Sequence, residues 1–337
     1  MVTIKEIAKK AKVSPATVSK ALSGTYGVSS KTRKRVKKLA EELRYIPDYA
    51  ARSLVTNKSF AIGLVTPYLA NPALIERIRG IQNRCLSNQY VLITCFYEKD
   101  TRQEEKQIET LLSRKVDGLI ITPIAENDEL KNFIKKIDIP VVLLSEMLEG
   151  LECDFVGEDD YEGGRIATEH LIKLGHRNIA YFGNSPDVYS DRCITKGYKD
   201  TLEKYEIKFS QDYIFWGNTD KEILGKNIEK VLSFHQQVTG IICWSDIIAV
   251  EIVKKLESMN IKVPEDISVV GYDNIEMLSI FHMSLTTIGQ PNFLIGQKAV
   301  SALLPSINGA NLQPPQKIIL KPELIIRNST GQAKIKN

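Results

Sequence analysis

Several polar and aromatic side chains stand just past the ends of short apolar runs, where an α/β chain presents groups to small ligands. Tyr68 and Asn71 follow Ala61–Val65, and Ser145 and Glu146 close the run that starts at Val141. Trp244, Ser245 and Asp246 follow Gly240–Cys243, Asp273 follows Ile267–Tyr272, and Gln290 ends the stretch Leu285–Gly289. Aromatic faces beside carboxylates and amides suit a sugar-like molecule: ring C–H groups stack while hydroxyls bridge the polar groups. A second set lies near the N-terminus. Pro15, Ala16, Thr17, Ser19 and Lys20 open a short helical pattern in a basic segment. Such a set can meet DNA, with Lys20 reaching guanine O6 and N7, Pro15 and Ala16 offering apolar contact, and Thr17 and Ser19 bonding phosphate oxygens.

The elements that must position these residues follow two patterns. In the first 46 residues, Thr3 and Glu6 form a capping box ahead of Ile4, Ile7, Ala8 and Ala11. Lys12-Val13 turns, Ser14 caps a second helix with Pro15 at its first position, and Ser29 or Ser30 caps a third running to about Arg44. Two helices joined by so short a turn make a helix-turn-helix. From Phe60 onward, short apolar runs alternate with amphipathic helices: Pro72–Ser87, Thr101–Ser113 and Asp128–Ile137, then Glu162–Leu174, Asp191–Tyr205, Lys221–Phe234, Asp246–Met259 and Pro291–Ile307. Repeated β-α units predict parallel sheets covered on both faces, arranged as two lobes around a cleft. A closing extended segment, Lys317–Ile326, follows.

Charge separates the two parts. Residues 1–58 hold ten Lys and four Arg against three Glu and one Asp, a net of +10, whereas the whole chain carries only +4. The remainder is therefore acidic, and only the head is suited to a polyanion. No apolar run reaches the roughly 18 residues that span a bilayer, and Met1–Glu6 lacks the apolar core of a signal peptide. The expectation is a cytoplasmic, nucleoid-associated protein with no membrane partner. The five scattered cysteines and four scattered histidines form no metal-ligand spacing, so neither metal nor cofactor is expected. An enzyme is not expected either: the chain has no GxGxxG after a strand, no GxxxxGK[ST] and no GxSxG, and Gly163-Gly164 alone does not make a phosphate loop. A purely architectural DNA-binding protein would not need so large a two-lobed body.

The head resembles that of the lac-repressor (LacI/GalR) family of bacterial transcription regulators. The matching stretches are Thr3–Ala8, Val13–Lys20, Val28–Arg33 and Tyr45–Leu54. The body resembles the same family's periplasmic-binding-protein-like body at Gly163–Leu171, Leu174–Ala180, Val263–Asn274 and Leu285–Pro291. Lys20 stands where the family usually has Arg, and Ser23 and Asp48 stand where it usually has Asn. The resemblance implies a DNA-binding head over residues 1–46, a hinge over 47–58, and an effector-binding and dimerisation body over 59–330 whose lobes are crossed near 157–163 and 288–291. It adds Thr3, Ser14, Ser29, Thr32 and Tyr45 to the DNA-facing candidates. It also implies that Leu54, with Ala51 and Arg52, enters the minor groove from a hinge helix, as apolar wedges do when they kink a duplex. Arg192, ahead of Gly197-Tyr198, stands near where the family keeps an effector-binding arginine. The expected function is a repressor on a pseudo-palindromic operator, controlled allosterically by a sugar or sugar derivative; a protein co-regulator or a nucleobase is the alternative effector. Residues Asn328–Asn337 show no apolar heptads, so a homodimer is expected.

Overall fold

The computed structural model describes residues 2–23, 26–45, 58–67, 71–98, 101–234, 238–280, 284–309 and 314–334. They divide into two compact units, Met1–Ser59 and Phe60–Asn337.

The first unit is three helices: α1 (Ile4–Ala11), α2 (Pro15–Ser23) and α3 (Ser30–Glu42). Side chains close each start. Glu6 N–H donates to Thr3 Oγ1 at 3.3 Å while Thr3 N–H donates back to Glu6 Oε2 at 2.8 Å. Ser14 Oγ accepts from Thr17 N–H at 3.1 Å, and Ser29 Oγ accepts from Thr32 N–H at 3.3 Å. These bonds satisfy amides that the helices leave open. Ile7, Ala8, Ala11, Val18, Ala21, Val36 and Ala40 form the core. So many alanines let short helices approach closely.

The second unit holds two six-stranded sheets. In chain order the first half runs β1 (Ala61–Pro67), α4 (Pro72–Ser87), β2 (Val91–Tyr97), α5 (Thr101–Ser113), β3 (Gly118–Ile121), α6 (Asp128–Ile134), β4 (Val141–Leu144) and β5 (Asp154–Glu158). The second half runs α7 (Asp160–Lys173), β6 (Ile179–Phe182), α8 (Tyr189–Lys204), β7 (Ile214–Phe215), α9 (Lys221–Leu232), β8 (Gly240–Cys243), α10 (Asp246–Ser258), β9 (Ser268–Asp273), α11 (Glu276–Ile280), β10 (Thr286–Gly289), α12 (Asn292–Ile307), β11 (Lys317–Leu320) and β12 (Glu323–Ile325). The sheets are ordered β11-β5-β4-β3-β1-β2 and β12-β10-β9-β8-β6-β7. Every pairing is parallel except β10 with β12, where Thr287 faces Ile325. Every residue of β1, β3, β6, β8, β9 and β10 is buried, as parallel strands covered on both faces require.

The chain passes between the lobes three times. It leaves the first sheet after β5, returns between β10 and α12, and crosses again at Lys321-Pro322 between β11 and β12. The stretch Lys317–Ile326 is thus two strands in different sheets. All strands that carry candidate ligand groups point their carboxyl ends into the cleft between lobes.

Candidate functional site

A cavity of about 170 Å³ lies between the lobes of the body. That is close to the ~150 Å³ that accommodates one benzene ring, so it fits a molecule of about one ring. The first lobe contributes Thr66, Asn71, Arg77, Thr122, Ser145, Glu146 and Glu158; the second contributes Asp160, Asn184, Ser190, Trp244, Tyr272 and Asp273, with Gln290 from the second crossing. Five buried polar atoms in this wall have no hydrogen-bond partner among the described residues: Thr66 Oγ1, Thr122 Oγ1, Glu158 Oε2, Asp160 Oδ2 and Trp244 Nε1. A stranded buried polar atom costs about 1–3 kcal/mol. All five belong to residues that line one small space, a wall rich in unspent polar groups: one donor, two hydroxyls and two carboxyl oxygens.

Arg77 organises the first-lobe side. It sits at the middle of α4, on the stripe shared with Leu74, Ile78 and Ile81 that would otherwise be apolar. Its guanidinium donates to Glu158 Oε1 at 3.1 Å, Gln290 Oε1 at 2.9 Å, Asn292 Oδ1 at 2.6 Å and also Ser145 Oγ. These acceptors belong to the ends of β4 and β5 and to the second crossing. Other bonds tie the lobes directly. Asn71 Nδ2 donates to Asp273 Oδ2 at 2.7 Å while Asn71 Oδ1 caps α4 at Ala73 N–H. Ser190 donates to Glu146 through its hydroxyl and its amide.

Burial governs the titration of these carboxyls. It raises Asp273 and Asp160, and Asp160 is pushed further by Glu158 and Glu146. Glu146 is half-buried and lines the cavity, and burial lifts it to about 8 against the pull of Ser190. The folded-state value lies above the ordinary 4.5, so the native protein holds this proton more tightly than the unfolded chain. The associated stability is complete below the unfolded value and is lost as pH rises through about 8. Glu146→Gln should therefore melt higher than the parent protein near pH 8 and lose that advantage by about pH 4. An advantage independent of pH would remove Glu146 as the titrating group.

The cavity brings together Asn71, Ser145, Glu146, Trp244, Asp273 and Gln290. It does not include three of the sequence candidates. Arg192 lies outside the lining, its side chain 33% exposed and its guanidinium taken by Glu149 Oε1 at 3.2 Å, Glu126 Oε2 at 3.7 Å and the Asp187 carbonyl. Ser245 is spent as the cap of α10, accepting from Ile248 N–H. Asp246 is buried behind the wall, where Thr287 Oγ1–H and Ile275 N–H donate to it. Both follow a strand, but the helix that starts there turns them inward. Tyr68 lies outside the described residues. Arg77, Glu158, Asp160 and Ser190 are lining residues that the strand-end reading missed. For Arg77 the available signal was a charge on an apolar helical stripe.

In the head, Pro15, Ala16, Ser19 and Lys20 are exposed on α2, while Val18 and Ala21 are buried on its other side. Thr17 is half-buried against Ser14, with their hydroxyls 2.8 Å apart. Thr3 and Ser29 are exposed caps, Thr32 accepts from the Ser29 hydroxyl, and Tyr45 packs against the helical core. Ala51, Arg52 and Leu54 lie outside the described residues.

A helix-turn-helix unit joined in one chain to a two-lobed body with an interlobe polar cavity defines a DNA-binding regulator with a ligand-binding domain. Comparison with known proteins gives its family. A model of bacterial regulatory proteins of the lacI family matches residues 3–48, and one of a periplasmic binding protein-like domain matches residues 168–330. The HTH-type transcriptional repressor PurR of Aliivibrio fischeri (strain MJ11) is 33% identical over 332 residues, spanning 98% of each chain. The lac repressor dimer bound to operator and the anti-inducer ONPF is 27% identical with a TM-score of 0.83, covering 98% of this chain and 99% of that one. A LacI family transcriptional regulator from Enterococcus faecium with bound ribose is 30% identical with a TM-score of 0.72, covering 81% of this chain and 100% of that one. The chain belongs to the lacI (LacI/GalR) family: it is a DNA-binding transcriptional repressor with a ligand-binding domain, not an enzyme.

Proposed function

We propose that operator affinity is set by a single-ring, hydroxyl-bearing effector of the sugar class, held in the interlobe cavity. The observation that carries this is a cavity of about 170 Å³ walled by both lobes, five of whose lining residues hold a buried polar atom with no partner among the described residues. Bound ribose in the Enterococcus faecium regulator supports the size and class. Because both lobes supply the wall, occupancy biases the angle between them, which is the two-state element that allosteric coupling requires. The division of labour is a DNA-binding head over 1–46, a hinge over 47–58 and an effector body over 59–330. Two such chains act as a cytoplasmic, nucleoid-associated homodimer on a pseudo-palindromic operator, a reading supported by the lac repressor dimer on operator.

At the operator, Lys20 takes guanine O6 and N7, Pro15 and Ala16 meet thymine methyls, and the hydroxyls of Thr17 and Ser19, with Thr3, Ser14, Ser29, Thr32 and Tyr45, fix the head on the backbone. Leu54, with Ala51 and Arg52, is the proposed minor-groove wedge.

The test combines melting and operator binding. A panel of pentoses, hexoses and nucleobases is screened for a rise in melting temperature, and each hit is then titrated into an operator-binding assay. A sugar that raises the melting temperature and changes operator affinity is the expected result. A nucleobase as the effective hit would replace the sugar reading. Operator affinity indifferent to every stabilising ligand would remove small-molecule control.

A further inference from the structure

The wall of the interlobe cavity has a preponderance of acidic groups that a neutral ring does not need. Four carboxylates line it: Glu146, Glu158, Asp160 and Asp273. Among the described lining residues Arg77 is the one cation, and its guanidinium is already committed to Ser145, Glu158, Gln290 and Asn292. Arg192 lies outside the cavity, neutralised by Glu126 and Glu149.

The four carboxylates are not equivalent. Asp273 accepts from Asn71, and both oxygens of Glu146 accept from Ser190. Asp160 is only 3% exposed; its Oδ1 accepts from Tyr272 O–H at 2.9 Å, but its Oδ2 has no partner among the described residues. Glu158 is 7% exposed; Arg77 holds its Oε1, and its Oε2 has none. Two carboxyl oxygens of residues that line one small space are therefore buried with nothing donating to them among the described residues. Such groups are completed by a donor, by a cation or by taking up a proton, and a bound cation serves both oxygens at once. Their mutual repulsion shows in the raised Asp160 carboxyl, for which Glu158 and Glu146 are the causes after burial. An anionic ligand would meet four acidic groups and one arginine that is already occupied, with no other cation among the described lining residues to receive it.

We infer that the effector carries a protonated amine that donates to Asp160 Oδ2 and Glu158 Oε2, while Trp244 Nε1–H and the Thr66 and Thr122 hydroxyls engage its ring oxygens. This rests on the proposed effector role of the cavity and narrows its ligand to an amino sugar or a similarly small cyclic amine. The same wall offers an anionic sugar no unoccupied cation among its described residues.

The experiment uses the full-length protein and three probes on one ring: glucosamine, glucose and glucuronate, compared near neutral pH by melting temperature and calorimetry. Glucosamine should bind about tenfold more tightly than glucose, as a charge-assisted bond in a buried site warrants, and glucuronate more weakly than either. Asp160→Asn, which keeps an oxygen for Tyr272, should bring glucosamine down to the level of glucose; Glu158→Gln serves the same purpose should the first variant not fold. Equal or tighter binding of glucose or glucuronate overturns the inference. So does a flat response to all three, or a glucosamine preference that survives both substitutions. Operator titrations with the same probes keep the two readings apart. A neutral ring that changes operator affinity leaves regulation standing and removes the amine. A preferred amine without effect on operator affinity removes regulation and leaves the amine site.

Discussion

Gly296→Ala should destabilise the body by about 2–3 kcal/mol, although a glycine-to-alanine change inside a helix ordinarily stabilises it by roughly 0.5–1 kcal/mol. The reason is the contact between α4 and α12. A Cβ at Gly296 would lie 2.1 Å from the carbonyl oxygen of Arg77 and 2.8 Å from Ile81 N. The contact is reciprocal, since a Cβ at Gly80 would lie 2.0 Å from the carbonyl oxygen of Phe293. Backbone cannot yield as a flexible side-chain tip can. The helices must separate, and Ile81, Cys85, Ile295, Ala299, Val300 and Leu303, all buried in one cluster, lose contact together. Gly225 supplies the control. It lies inside α9, and a Cβ there would meet nothing within 4 Å. Gly225→Ala should raise stability by about 0.5–1 kcal/mol through helix propensity and lost unfolded-state freedom. Denaturant unfolding of both variants measures the contrast. If Gly296→Ala unfolds at the same denaturant concentration as the parent or higher, the close helix contact is not what holds these elements.

The difference between these glycines was not legible in the sequence, because the atom that decides it comes from an element more than two hundred residues away. What was legible followed local rules. The Thr3–Glu6 pair, Ser14 and Ser29 announced the helices of the head through their own caps. Alternating apolar runs and amphipathic helices announced parallel sheets, since buried central strands need no polar face. The strand β5 was missed because Phe155 and Val156 are its only large apolar residues, set between Asp154 and Gly157-Glu158. That omission also hid Glu158 and Asp160, which project into the cavity from the end of β5 and the crossing beyond it. The strand-end rule placed Asn71, Ser145, Trp244, Asp273 and Gln290 in the wall, and it failed at Ser245 and Asp246, where a helix begins at once and turns the side chains to cap and brace it. Arg192 stays out of the lining for another reason: Glu126 and Glu149, distant in sequence, hold its guanidinium. Arg77 lies mid-helix, where no strand-end rule looks.

Arg77→Met should be the more informative loss for the site itself. Methionine keeps the apolar stem on the α4 stripe but removes the donors serving Ser145, Glu158, Gln290 and Asn292. Glu158 decides the size of the effect. The two side chains are 11% and 5% exposed, so the pair is shielded from solvent and salt. Removing one partner of a buried ion pair costs about 3–5 kcal/mol, because the remaining charge stays buried without compensation. Removing both can cost far less, since the desolvation penalty disappears with the charges. The Arg77→Met, Glu158→Gln double variant should therefore be more stable than Arg77→Met alone. A double-mutant cycle measured by denaturant unfolding should give a coupling of about 2 kcal/mol or more. Simple additivity would mean that Glu158 finds its compensation elsewhere, and the description of the first-lobe wall would have to change. The same variant loosens the second crossing, because Gln290 and Asn292 both lose their donor there. A body with intact secondary structure but weaker coupling between its lobes is the expected product, and proteolysis at the crossings should report it as faster cleavage than in the parent protein.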